Sequence, residues 1–321
     1  MIYDLQKRIL LVGAGKMGDL HIRAFKQTGL AIVCGVVSRT EQSAQKLCLD
    51  HKISYYNTDL YSAIDYLKPD GIILAASHLE NHSILNSLLN FKIPLLIEKP
   101  VGINLSEIEK TLRIIEEKKI NTMVGVNRRF YSTVTQSLFS LEYGGGVTGI
   151  HASFPDPRLP FELLKTYDQK VYDNWLMMNT IHGIDLLRLY GGEVKNVSCF
   201  GSKPKNIICI IGFEKGLTAT LGLNENYGGM NNWKLLVEGY GMNAVFNTLE
   251  NLTINFDIGT SFKYKEITSK TAPTRPGLLA QANAFISLIE TGFLAYPGSD
   301  LKDHYETLKL IDIIQNHIRL N

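Results

Sequence analysis

Residues 9–18 read Ile-Leu-Leu-Val-Gly-Ala-Gly-Lys-Met-Gly, an apolar strand-like run that opens into G-x-G-x-x-G at Gly13, Gly15 and Gly18. Few folds accommodate that junction. Gly13 permits a tight turn, Gly15 lacks the Cβ that would keep a phosphate away from the backbone, and Gly18 lets a helix lie close on the strand. A helical pattern follows at 19–28 and stops at Gly29. Its first turn offers unpaired N–H groups and the positive end of the helix dipole to an anion. A second apolar run comes at 31–37. The spacing predicts the pyrophosphate cradle of a dinucleotide, formed by Gly13, Ala14, Gly15, Lys16, Met17 and Gly18.

The residues after the second run bear on which dinucleotide. An acidic side chain there would accept hydrogen bonds from the adenosine ribose 2′-hydroxyl and favour NAD. This chain has Ser38-Arg39-Thr40 instead. A hydroxyl beside a guanidinium suits a 2′-phosphate, which arginine binds with paired, charge-assisted hydrogen bonds. NADP(H) is therefore expected ahead of NAD(H).

Helical patterns at 41–51, 59–67, 80–90 and 105–119 alternate with apolar runs at 70–76, 94–97 and 122–126. That alternation predicts a doubly wound parallel sheet. Ser106 and Glu109 have the spacing of a capping box, and Ile108, Leu112 and Ile115 form an apolar stripe. Beyond residue 126 the pattern changes. A helix is expected over 174–190, then strands at 194–200, 207–213, 217–223, 233–240, 244–247, 252–256 and 262–267. Strict alternation over 217–223 marks a sheet with one buried face. The expectation is an α+β domain on an open, mainly antiparallel sheet, with a loop over 273–276 and helices over 278–291 and 300–319. A length of 321 residues suits two domains, placed at 1–126 and 127–321.

A net charge of +2, with no lysine or arginine block, gives no reason to expect nucleic acid or an acidic membrane surface. Cys34, Cys48, Cys199 and Cys209 lack metal-site spacing and read as reduced thiols, and no metal is expected. The sequence enters its first strand almost at once and holds no apolar run near the ~20 residues of a membrane span. A cytoplasmic protein is expected.

Two constellations carry chemistry. Glu98-Lys99-Pro100 follows a strand at its carboxyl end, the edge where open α/β sheets bind ligands. Burial beside a cofactor would lower the lysine pKa toward usefulness in proton transfer. His182 and Asp185 share a helix face, and a histidine near a carboxylate is a candidate acid–base. Read alone, that pair is better accounted for as a core-edge histidine bonded to its neighbour. Asn127-Arg128-Arg129-Phe130-Tyr131, with Arg158, Tyr167, Tyr172, Asp173 and Trp175, offers cations and aromatic faces to a phosphorylated or nucleotide-linked sugar. A solvated loop with core-edge aromatics accounts for them equally well. The Asn- and Gly-rich stretch 224–232, with Tyr227, reads as a hairpin loop.

Taken in order, the glycine fingerprint, Ser38-Arg39, the run from Ala76 to His82, Glu98-Lys99-Pro100, Asn127-Arg128-Arg129-Phe130 and Ile181-His182-Gly183-Ile184-Asp185 resemble the Gfo/Idh/MocA oxidoreductases, the glucose-fructose oxidoreductase and inositol dehydrogenase family. The likeness extends to a late stretch at 281–292. It implies a Rossmann domain followed by an α+β domain whose open sheet joins homodimers or homotetramers. It also implies hydride transfer between bound NADP or NAD and a carbinol or ketone of a sugar, sugar derivative or nucleotide sugar. Lys99 would polarise or deprotonate the reacting hydroxyl, and His182 would be the acid–base, oriented by Asp185 or a neighbour. Ala76, Glu98 and Asn127 would lie on the cofactor, the last two near the nicotinamide ribose, with His82 near the covering loop. Arg128, Arg129, Tyr172 and Asn179 would face substrate. One departure stands out: where many members carry aspartate and glycine, four and two residues before the histidine, this chain has Met178 and Thr180, with Asn179 between. Asn179 hydrogen-bonds but takes no proton at neutral pH. Some relatives cleave glycosides with retained NAD, and one is a non-catalytic co-repressor, so both remain alternatives.

Overall fold

The computed structural model describes residues 6–155, 163–165, 167–202, 206–224, 232–266 and 274–320. The chain folds into two compact units, 1–130 with 268–305, and 131–267 with 306–321. Arg158 and most of the 224–232 stretch lie outside the described residues.

In the first unit, β1 (Lys7–Val12), β2 (Ala31–Val37), β3 (Tyr56–Asn57), β4 (Gly71–Leu74), β5 (Leu95–Ile97) and β6 (Thr122–Val124) form a six-stranded sheet in the order β3-β2-β1-β4-β5-β6. Every pairing in it is parallel. The order reverses beside β1, which is where such sheets open a ligand crevice. Helices α1 (Lys16–Thr28), α2 (Glu41–His51), α3 (Leu60–Leu67), α4 (Asn81–Leu88) and α5 (Leu105–Lys118) connect the strands. The strands are near-continuously apolar because both faces are covered: Ile9, Leu10, Leu11, Ile72, Ile73, Leu74, Leu95, Leu96 and Ile97 have no exposed surface. Each such side chain contributes about 1.5–3 kcal/mol by leaving water.

The structure differs from the sequence-based expectation in where 268–305 belongs. Helix Leu278–Thr291 carries Leu278, Ala282, Phe285 and Ile286 on one stripe and buries them in the first unit's core. Phe285 meets Phe25 of α1 edge-to-face, with ring centroids 6.2 Å apart. The helix therefore groups with the sheet that shares its apolar face rather than with its sequence neighbours. The cap of α5 also differs. Asn104 is the N-cap and accepts from the backbone N–H groups of Ser106 and Glu107, so Ser106 sits within the first turn and forms no capping box. Replacing Asn104 with alanine is expected to cost about 1 kcal/mol in urea denaturation, whereas Ser106→Ala should change little.

The second unit holds an eight-stranded sheet. Its strands are β7 (Val147–Pro155), β8 (Val194–Phe200), β9 (Ile207–Phe213), β10 (Thr218–Asn224), β11 (Lys234–Gly239), β12 (Met242–Asn247), β13 (Asn251–Phe256) and β14 (Ser261–Lys265), ordered β14-β13-β12-β11-β7-β10-β9-β8. All pairs are antiparallel except β7 with β10. β7 is central and was not anticipated from the sequence, nor was α6 (Ser132–Tyr143). Its alternation is legible afterwards: Ile150, Ala152 and Phe154 are buried, His151 and Ser153 exposed. One face of this sheet is covered by α6 and helix Ile181–Gly191. On the other, Phe200, Ile208 and Ile210 are exposed. All four cysteines are free.

Candidate functional site

The glycine turn shows three separate physical demands. Gly13 has φ +112°, and a Cβ there would collide with the Ala75 carbonyl at the end of β4. Its N–H donates to Val37 O at 2.8 Å, so the turn is wedged between β2 and β4. A Cβ at Gly18 would run into the Gly13 carbonyl and lie 3.2 Å from the Leu11 side chain, so glycine sets the approach of helix to strand. At Gly15 a Cβ would meet nothing within 4 Å. That position faces open space, and Gly15 is the N-cap of α1 with no side-chain cap bond. The first-turn N–H groups are thus left for a ligand.

The open space is a cavity of about 740 Å³ lined by Gly13–Met17, Val37–Thr40, Ala75–His78 and Glu80, among others. Gly13, Ala14, Gly15, Lys16, Met17, Ser38, Arg39 and Ala76 therefore share one cleft at the strand-order reversal, and Gly18 supports it from behind. The size suits a small organic ligand, and the room at residue 15 fits a phosphate drawn up to the backbone.

Lys99 stands two residues beyond β5, half-buried, with a cis peptide to Pro100. Burial lowers its ammonium pKa to about 8; Glu98 opposes that shift, while Arg128 and Arg275 assist it. The neighbouring His78 is likewise held below the ordinary histidine value by desolvation and by the charge of Lys99, with Glu98 opposing. Glu98 is buried, and its Oε1 lies 2.8 Å from His21 Nε2 of α1. Its carbonyl accepts from Asn81 Nδ2 at 2.9 Å. A Cβ at Gly125 would stand 2.8 Å from Glu98 Oε1, so the chain just past β6 is trimmed to admit the carboxylate. The Glu98 side chain is thus held to α1 within the unit.

Three other expected residues are engaged elsewhere in the unit. His82 bonds Thr111 Oγ1 at 2.9 Å and lies 3.6 Å from Glu107, between α4 and α5, and does not line the glycine cavity. Asn127, on the short 3₁₀ turn Asn127–Phe130, donates to Pro276 O at 2.9 Å. Arg129 is buried against Asp303 at 2.7 Å. Of the two arginines, Arg128 is the one whose charge acts on Lys99.

In the second unit, His182 and Asp185 are buried on helix Ile181–Gly191. Asp185 Oδ1 accepts from Thr307 at 3.3 Å, and Arg188 donates to the same hydroxyl at 3.1 Å. The expected helix over 174–190 is not uniform: Leu176–Thr180, which includes Met178 and Asn179, forms a π-helical turn that ends two residues before the histidine. Such turns insert a residue and recur at functional sites. Tyr172 is buried, stacks on Trp175 with centroids 6.0 Å apart, and its hydroxyl accepts from the Tyr167 N–H at 2.9 Å. That aromatic cluster supports the approach to the π turn.

Sequence reasoning missed His21 and Arg275, and gave His78 and Glu80 no role of their own within the run from Ala76 to His82. His21 was legible only as one of the buried positions of α1, alongside Gly18, Ile22 and Phe25. Among the described residues no helix is long and apolar enough to cross a membrane.

The model of an oxidoreductase family, NAD-binding Rossmann fold, matches residues 7–126. Over 129 residues, 40% of each chain, the sequence is 29% identical to the rhizopine catabolism protein MocA of Rhizobium meliloti. It is 22% identical over 199 residues to myo-inositol 2-dehydrogenase of Thermotoga maritima, covering 61% of this chain and 58% of that protein. The matches thus span less than two thirds of either relative. A solved structure of UDP-N-acetylglucosamine 3-dehydrogenase from Acidithiobacillus ferrooxidans superposes with TM-score 0.79 at 15% identity, covering 98% of both chains, a likeness of fold. Residues 7–126 thus match the Gfo/Idh/MocA oxidoreductase family's NAD-binding Rossmann fold, and the described chain shares the fold of the solved dehydrogenase structure.

Proposed function

We propose that the protein is a nicotinamide-dependent dehydrogenase or reductase acting on a secondary hydroxyl or ketone of a sugar, sugar derivative or nucleotide sugar, with NADP(H) preferred. The observation that carries the reading is the glycine cleft: a cradle open at Gly15, at the strand-order reversal, two strands from a lysine whose pKa is lowered to about 8. When bound, nicotinamide supplies the hydride acceptor or donor. The chain's task is then positioning and proton handling. Lys99 holds or takes the proton of the reacting oxygen, and His182 serves as acid–base, positioned through Asp185. Arg128, Tyr172 and Asn179 are proposed on the substrate side. The ring alcohols named for the inositol and UDP-sugar relatives support the substrate class. The exposed Phe200, Ile208 and Ile210 support a homo-oligomer formed through the open sheet face.

The preference for NADP(H) rests on Ser38 and Arg39 lining the cleft. Arg39→Ala is expected to weaken NADPH binding at least about tenfold and NADH binding little, since a charge-assisted pair to phosphate is worth about 1.5–3 kcal/mol. An unchanged ratio would remove Arg39 as the selectivity element. For the reaction, a panel of sugars, polyols, sugar phosphates and nucleotide sugars is incubated with NADP⁺ and NAD⁺, and absorbance of the reduced nicotinamide is followed. Turnover of a ring alcohol supports the reading. Cofactor binding without turnover of any panel member, in either direction, would point to the sensor alternative.

A further inference from the structure

Arg39 stands just past β2 and Glu80 is the N-cap of α4, and both line the glycine cleft. Arg39 Nη1 donates to Glu80 Oε1 at 2.9 Å, and the Ser77 hydroxyl donates to Glu80 Oε2 at 2.9 Å. Both carboxylate oxygens are engaged on the cleft side. The fold gains little from this arrangement. The two side chains are 79% and 41% exposed, and pairs of that kind contribute marginally to stability. Glutamate is also an unfavoured N-cap, and here its side chain makes no cap bond to the helix it begins. The carboxylate faces the arginine rather than the N–H groups of its own helix.

We propose that Glu80 is a specificity-setting counter-ion that holds down the NADP(H) preference Arg39 creates. The inference rests on the proposed dinucleotide site and on Arg39 as its 2′-phosphate ligand. A 2′-phosphate arriving at Arg39 must displace the carboxylate from the guanidinium or share it at close range, and the two groups carry like charge. A 2′-hydroxyl brings no charge and meets no such competition. Glu80 therefore weakens the phosphorylated dinucleotide selectively and lets the cleft accept both forms.

The test measures dissociation constants of NADPH and NADH for the full chain, Glu80→Gln and Arg39→Ala by nicotinamide fluorescence. Glutamine keeps the length of residue 80 and a hydrogen bond for Ser77, so the loop remains intact. Glu80→Gln is expected to tighten NADPH about fivefold and to leave NADH within about twofold, the scale of releasing one exposed ion pair. The inference is overturned if Glu80→Gln leaves NADPH affinity unchanged while Arg39→Ala weakens it, a result that leaves Arg39's role standing. It is equally overturned if Glu80→Gln weakens NADH, which would make the carboxylate a ribose ligand. If Arg39→Ala leaves the NADPH-to-NADH ratio unchanged, the reading of Arg39 fails, and this inference with it.

Discussion

Lys99→Met is expected to lower kcat/KM of the proposed reaction by about a thousandfold while dinucleotide affinity stays within about threefold of the parent. Methionine keeps the length and the apolar stem but removes the ammonium. Cofactor affinity persists because Lys99 does not line the glycine cleft. Burial, helped by Arg128 and Arg275 and opposed by Glu98, brings the ammonium pKa to about 8, so the group changes charge close to working pH. The sign follows from which form acts. Alcohol oxidation needs neutral lysine to receive a proton, so kcat/KM for oxidation should rise with pH through about 8; ketone reduction needs the ammonium and should fall over the same range. Lys99→Arg sharpens the test, since a guanidinium stays charged throughout and should abolish that limb. A stability readout runs the other way. The lowered pKa means that the folded chain holds a charge it would rather lose. Relative to the parent, Lys99→Met should therefore melt higher below pH 8, with the difference shrinking as pH rises from 8 toward 10.5. Full activity in Lys99→Met would sink the assignment of the proton-handling group.

What could be read in advance follows from how local each cause is. Gly13, Gly15 and Gly18 were legible because each meets a demand of a single turn, and the apolar strands of the first sheet were legible because both faces are covered. His21 was hidden. It bonds Glu98, 77 residues away, and its own helix shows only a buried position. Glu80 was hidden for the same reason, since its partner Arg39 is 41 residues distant. Helix Leu278–Thr291 showed its apolar stripe plainly, but a stripe does not say which sheet it will cover. The spacing of Ser106 and Glu109 pointed to the wrong cap because the helix begins earlier, with Asn104 accepting from the N–H groups of Ser106 and Glu107. The π turn at Leu176–Thr180, in which Met177 and Met178 are buried, was not legible because the apolar pattern over 174–190 reads as one continuous helix. That turn also holds Met178 and Thr180, the two positions at which the sequence departs from the pattern it resembles.

Gly13 and Gly15 should separate stability from binding within one motif. At Gly13 an alanine would be held at φ +112° with its Cβ driven into backbone: the Ala75 carbonyl oxygen, then Ala75 C at 2.5 Å and Ala76 N at 2.7 Å. Those atoms belong to the end of β4 and cannot rotate aside as a side chain would. Gly13→Ala is expected to destabilise the first unit by about 2–4 kcal/mol, read as a lower denaturation midpoint. Gly15 has φ −89° and ψ −173°, extended backbone open to any residue, and its missing Cβ faces empty cleft. Gly15→Val should therefore cost only about 1 kcal/mol, the penalty of an apolar residue at the N-cap of α1, yet its methyl groups would stand where the pyrophosphate must approach the N-terminus of α1. Dinucleotide affinity is expected to fall by about a hundredfold or more. The contrast is the informative quantity, because a general loss of folding would lower both variants together. If Gly15→Val bound NADPH and NADH as the parent does, the phosphates would have to lie away from residue 15, and the cleft's claim to be a dinucleotide site would lose the observation it depends on.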